Sequence, residues 1–211
     1  MKNIRLFLAI ALALQTAALA ASMPRSTRLQ GTIASVAPSS ITVATNHGNE
    51  TIAIDSKTRI LDLSKSSLDK VRNNSFIGTT VIPQPDGSYT STEVHIFAEA
   101  LRGMGQGFSK MNPSGTRMMA NAAVRMPVNM MANATVHNAR SAGGGKTISM
   151  TFPGRKIMVR MPANVPVSFI STSTRAALQR GKKVLAICNG APGKFTAKTV
   201  VIMERGASLG S

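Results

Sequence analysis

Asp86-Gly87-Ser88-Tyr89-Thr90, running on to Val94-His95-Ile96-Phe97, lies over Pro192-Gly193-Lys194-Phe195-Thr196, running on to Val200-Val201-Ile202-Met203. In each stretch a glycine-bearing turn delivers a strand of apolar residues. The two are the best-matched parts of a β-rich unit that the chain reads twice, first over residues 29–97 and again over 132–203. Gly31-Thr32-Ile33 answers to Ala134-Thr135-Val136. The hairpin strand Ser40-Ile41-Thr42-Val43-Ala44-Thr45 answers to Lys146-Thr147-Ile148-Ser149-Met150-Thr151. A repeated scaffold directs attention to what differs between its copies.

In the first copy Leu29, Gly31 and Ile33 alternate with polar neighbours. Ile41 and Val43 follow, then the turn Asn46-His47-Gly48-Asn49, then Ile52 and Ile54. Residues 64–71 read as a helical turn or two, with Leu68 and Val71 inward. In the second copy Ile148, Met150 and Phe152 alternate, Pro153-Gly154 turns the chain, and Ile157, Val159 and Met161 alternate again. Residues 174–180 read as a short helix, with Ser173 or Thr174 to cap it and Gly181 to end it. Each copy gives about five strands with a short helix before the last two. The expected fold is all-β with short helices: two tandem small OB-like β-barrels, closed or nearly closed, which removes exposed strand edges. The barrels would occupy residues 27–100 and 132–205, joined by a Gly/Met-rich linker over 101–131, with a disordered tail at 206–211.

Residues 1–20 have the form of a secretory signal peptide. Lys2 and Arg5 precede an apolar run over residues 6–19, and Ala18-Leu19-Ala20 is a small-x-small cleavage pattern. The run is short for a membrane span, and no later stretch reaches the ~18 apolar residues a spanning helix needs. The expected location is periplasmic or secreted, with no transmembrane span in the mature chain. The single cysteine, Cys188, rules out an intramolecular disulfide. It sits in the run Val184-Leu185-Ala186-Ile187-Cys188, where a buried inert thiol is expected.

The net charge of +17 is unevenly placed. Residues 1–100 hold nine Lys/Arg against seven Asp/Glu, and residues 101–211 hold sixteen against Glu204 alone. Such a half points to an anionic partner: an envelope component or a partner protein. The candidate anion-binding residues are Arg155, Lys156 and Arg160 on one strand, and Arg180, Lys182 and Lys183 at the helix-to-strand junction. Specific nucleic-acid recognition is not expected, because the stacking aromatics such sites use are scarce: no Trp and one Tyr.

Gly31-Thr32-Ile33, the Ser67-Leu68-Asp69-Lys70-Val71 segment, the Asp86-Gly87 hairpin, and Val94-His95-Ile96-Phe97 followed by Glu99-Ala100-Leu101-Arg102-Gly103 together resemble a known family. It is that of the exported bacterial small-β-barrel proteins classed as a domain of unknown function, here as two tandem copies. The resemblance covers most of the mature chain and is better in the first copy. It implies a fold and an envelope location, and no activity.

Catalytic residues are poorly supplied. The second copy offers His137 and Glu204, and the chain lacks a serine elbow, a His-Glu-x-x-His and a Cys-x-x-Cys. Catalysis would need folding to gather His95, His137 and first-copy acids into one cleft, so the expectation is a non-enzymatic binding or adaptor protein without a cofactor. The alternative is soft-metal handling. Seven of thirteen methionines fall between Met104 and Met131, and Met118, Met119, Met126, Met130 and Met131 are candidate copper ligands, since thioethers select Cu(I). Arg117 and Arg125 within the cluster oppose a cation there, and methionine also serves as adaptable apolar filler.

Overall fold

The computed structural model describes residues 26–110, 130–152 and 154–207. The expected signal peptide, residues 111–129 of the expected linker and the last four residues lie outside them. The first half supplies β1 (Thr27–Ala37), β2 (Ser40–Thr45), β3 (Gly48–Ala53), β4 (Arg59–Lys65), β5 (Phe76–Pro83) and β6 (Tyr89–Phe97). After β7 (Gly107–Lys110), the second half supplies β8 (Met130–Ala142), β9 (Gly145–Phe152), β10 (Arg155–Met161), β11 (Val167–Thr172), β12 (Lys183–Asn189) and β13 (Phe195–Met203). The expected helices are single 3-10 turns, Leu68–Lys70 and Arg175–Ala177, and neither has a side-chain cap.

Two rings of five strands close. In barrel one, β12, β1, β2 and β3 pair antiparallel in that order and β13 pairs with β12. A short parallel contact of β3 with β13, Ile52 with Phe195 and Ala53 with Thr196, completes the ring. Barrel two repeats the scheme with β5, β8, β9, β10 and β6, closed by Val159 with Tyr89 and Arg160 with Thr90. The strand order and the 3-10 turn before the fourth strand are those of an OB-like barrel.

The expected tandem arrangement is corrected by these pairings. Residues 27–100 do not close a barrel by themselves, nor do residues 132–205: each half gives its first three strands to one barrel and its last two to the other. The remaining strands, β4 and β11, form a seam in which β6 and β11 run parallel, β11 and β4 antiparallel, and β4 and β13 parallel. Exchanging the halves maps every pairing except that of β7 with β8 onto its counterpart, and Leu63 opposite Ile170 is the pair that maps onto itself.

Local chemistry sets this path. After β3, Asp55 Oδ1 accepts the N–H groups of Lys57 (2.8 Å) and Thr58 (2.9 Å). The Thr58 hydroxyl donates to the Ala197 carbonyl (2.8 Å) and pins the turn to β13. The hydrogen bond from the Lys57 N–H is the main reason the Asp55 carboxyl titrates below its usual range. The chain therefore leaves the ring and continues along β13 as β4. Leu101, in the expected linker, is buried against the seam, and β7 pairs with β8.

One alignment also shifts. The β1–β2 pair Ile33 with Val43 corresponds to Val136 with Met150 in β8–β9. Ile41 thus answers to Ile148, one residue on from the expected match. A one-residue slip reverses every side chain in a strand, and the buried residues decide the register. Gly31 marks a close approach: a Cβ there would lie 2.1 Å from the Ala44 carbonyl oxygen.

Each barrel encloses its own apolar core. Ile33, Ile41, Val43, Ile52, Val184 and Ile202 fill barrel one, and Ile77, Val94, Val136, Ile148, Met150 and Val159 fill barrel two. A third cluster, with Leu61, Leu63, Ile170 and Val201, packs on the seam.

Cys188 is buried in barrel one, and desolvation pushes its thiol up to about 11. Unfolding frees a thiol that ionises near pH 9, so stability from this site is complete below that pH and declines until about 11. Folded protein at pH 8 is expected to resist a disulfide-exchange reagent that reacts at once in urea. Equal rates would show an accessible thiol.

Candidate functional site

The outer face of β8, β9 and β10 gathers cations from β8 and β10, the two strands that flank β9. Thr147 of β9 is paired with Arg140 of β8 on one side and Arg160 of β10 on the other. Lys156 shares the outward face of β10 with Met158 and Arg160, because Ile157, Val159 and Met161 point into the barrel. Arg140, Lys156 and Arg160 are exposed, and Met158 is 54 % exposed. A hollow of about 320 Å3 opens among Asn138, Arg140, Ser149, Lys156 and Met158. The Ser149 hydroxyl is buried there without a hydrogen-bond partner. Arg160 Nη2 donates to Asp86 Oδ2 at 2.8 Å, but both side chains are more than half exposed, so the pair contributes little. Hydrogen bonds from the Ser88 hydroxyl and N–H are the main reason the Asp86 carboxyl titrates low.

Of the six cations singled out in the sequence, Lys156 and Arg160 lie on this face. Arg155 opens β10 opposite Phe152. Arg180, Lys182 and Lys183 do not join them: they lead into β12 of barrel one, around a separate cavity of about 740 Å3 that also touches Glu204 and Arg205. The expectation of one basic second barrel is corrected accordingly, because the strand exchange divides the acid-free half between both barrels.

Arg140 was missed by sequence reasoning, and the reason is a bulge. Ala134 and Val136 face inward, so strict alternation would put residues 138 and 140 inward as well. The β8–β9 register shifts between His137 and Arg140, with Asn138 at φ +50°, and this turns Ala139 toward the core and Arg140 outward.

Met118, Met119 and Met126 lie outside the described residues, while Met130 and Met131 begin β8. Among the described residues no three His, Cys, Asp or Glu side chains converge for a metal ion. The histidines are dispersed, with His47 in the β2–β3 turn and His137 on the outer side of β8. His95 is different. It contacts Ser168 of β11 and Glu93 of its own strand in a largely buried cluster.

The fold and these surfaces define an all-β protein with closed five-stranded barrels. No known protein family, curated protein or solved structure matches the chain. No helix among the described residues is long and apolar enough to cross a membrane.

Proposed function

We propose that the chain is an exported binding or adaptor protein of the bacterial envelope that holds an anionic component on the outer face of β8, β9 and β10. One observation carries this reading. The row Arg140, Thr147, Arg160 corresponds, when the halves are exchanged, to Ala37, Ser40, Ala53 of barrel one. Lys156 likewise corresponds to Asn49, through their partners Thr151 and Ala44. The fold does not require cations at these positions, since the equivalent face is built from small neutral residues. The cations stand on β8 and β10, two strand spacings or about 10 Å apart across β9, where like charges still repel at low salt, so their gathering on one face favours a ligand that neutralises them.

Binding of the full-length protein to dextran sulfate and to anionic vesicles is expected to weaken steeply with salt. Neutralising Arg140, Lys156 and Arg160 to Gln is expected to lower affinity roughly a hundredfold, at ~1 kcal/mol per cation near an anionic surface. Neutralising Arg180, Lys182 and Lys183 should leave most of it. Undiminished binding by the first variant would reject this face.

A further inference from the structure

We propose that Ser168 is an activated nucleophile, with His95 as its general base and Glu93 as the residue that positions His95, and that the adjoining cavity admits small carboxylic esters. This goes beyond the anion-binding face and does not rest on it.

The strand exchange creates the cluster. Parallel β6 and β11 place His95 beside Ser168, and Nδ1 lies 2.5 Å from the serine Oγ. Glu93 Oε1 lies 2.7 Å from Nε2 of the same ring. A carboxylate only accepts hydrogen bonds, so Glu93 holds the imidazole proton on Nε2 and leaves Nδ1 to accept from the serine hydroxyl. The result is a nucleophile, a base and an orienting acid in one hydrogen-bonded chain. Ser168 is 5 % exposed, and the His95 and Glu93 side chains are 16 % and 13 % exposed, so the interactions operate largely out of water.

A bulge aims the acid and the base. Tyr89 and Ser91 point into barrel two, and unbroken alternation would send Glu93 and His95 after them. The β5–β6 register shifts between Thr80 and Val81, leaving Thr92 unpaired, so Val94 and Ile96 face inward and Glu93 and His95 face out. Such bulges commonly re-aim side chains at functional sites. On β5 the residue paired with His95 is Gly78, which has no side chain to crowd the ring.

Ser168 and Glu93 line a cavity of about 410 Å3. Leu68 and Val165 give it an apolar side for a short acyl chain, and Asn164 lies at its polar side. The Ser66 hydroxyl, buried and without a partner, belongs to the same lining, and the Ser66 N–H donates to the carbonyl of Val167, next to the nucleophile. The fold does not demand this set. Exchanging the halves puts Leu61, Val201 and Thr199 where Ser168, His95 and Glu93 stand, and Leu61 and Val201 are packed in the apolar seam.

The chemistry is balanced with water alone. Ser168 Oγ attacks the ester carbonyl carbon while its proton passes to His95 Nδ1. The tetrahedral intermediate collapses, the bond to the leaving oxygen breaks, and that oxygen takes the proton from His95 as the alcohol departs. Water, deprotonated by His95, then attacks the acyl-serine. The carboxylic acid leaves and the serine recovers its proton.

The test is labelling of the full-length protein with a fluorophosphonate probe, located by peptide mass, alongside release of p-nitrophenol from p-nitrophenyl acetate. The expected result is one adduct on Ser168 and none on Ser168→Ala. His95→Gln should slow labelling about a hundredfold. Glu93→Gln should slow it with an unchanged melting temperature, and Glu93→Asp should restore part of the rate, a pattern that lost packing would not produce. Should Ser168→Ala fail to fold, Ser168→Cys is expected to take iodoacetamide far faster than Cys188. No adduct on the folded wild-type chain, an adduct on another residue, or equal labelling of a folded Ser168→Ala variant would each overturn the proposal.

Discussion

Produced separately, residues 26–110 and 130–207 are each expected to fail to fold as a monomer, and mixed in equal amounts to recover the native β-sheet signal as a one-to-one complex. The first piece owns β1, β2 and β3 but lacks β12 and β13, and so presents two open edges and the inner faces of Ile33, Ile41, Val43 and Ile52 to water. The second owns β8, β9 and β10 without β5 and β6, which leaves Val136, Ile148, Met150 and Val159 in the same position. Neither open sheet buries enough apolar area to offset the entropy of ordering it. Circular dichroism and analytical ultracentrifugation of each piece, before and after mixing, check this. A tandem arrangement demands the opposite result, two pieces that fold alone and ignore each other.

Leu63→Ala is expected to lower the unfolding free energy by about 2–5 kcal/mol, the usual cost of removing a buried leucine from a packed site. Leu63 is fully buried opposite Ile170, at the centre of the one antiparallel junction that ties the β4 side of the molecule to the β11 side. Ile170→Ala should cost a similar amount, and the double variant should depart from additivity because the two positions are register partners. Urea unfolding followed by fluorescence and circular dichroism gives both quantities. A cost below about 0.5 kcal/mol, within the range of ordinary surface substitutions, would mean that the seam relaxes around the loss and does not hold the barrels together.

The strands within each half were legible because alternation of apolar and polar residues is a local property. Ile41 and Val43, Ile157, Val159 and Met161, and Val184 to Cys188 announce their buried face without any knowledge of their partners. The 3-10 turns resemble short helices in sequence because a capping-type residue before three or four good formers looks alike in both. β4 and β11 are not legible in the sequence: Arg59-Ile60-Leu61-Asp62-Leu63 and Val167-Ser168-Phe169-Ile170 lack clean alternation because both of their faces are covered.

What the sequence by itself determined is therefore the β class, the strands with clean alternation, the buried thiol and the excess of positive charge, all of which follow from residue type and short-range period. Which strand lies beside which was decided only in three dimensions. Either half could close with its own last two strands or with those of the other half, and the same local pattern serves both outcomes. Long-range pairing chose the exchange, separated Lys156 and Arg160 from Arg180, Lys182 and Lys183, and brought Ser168 to His95. The bulges at Asn138 and Thr92 made the final selection, because one extra residue reverses the side a chain presents, and no period in the sequence records it.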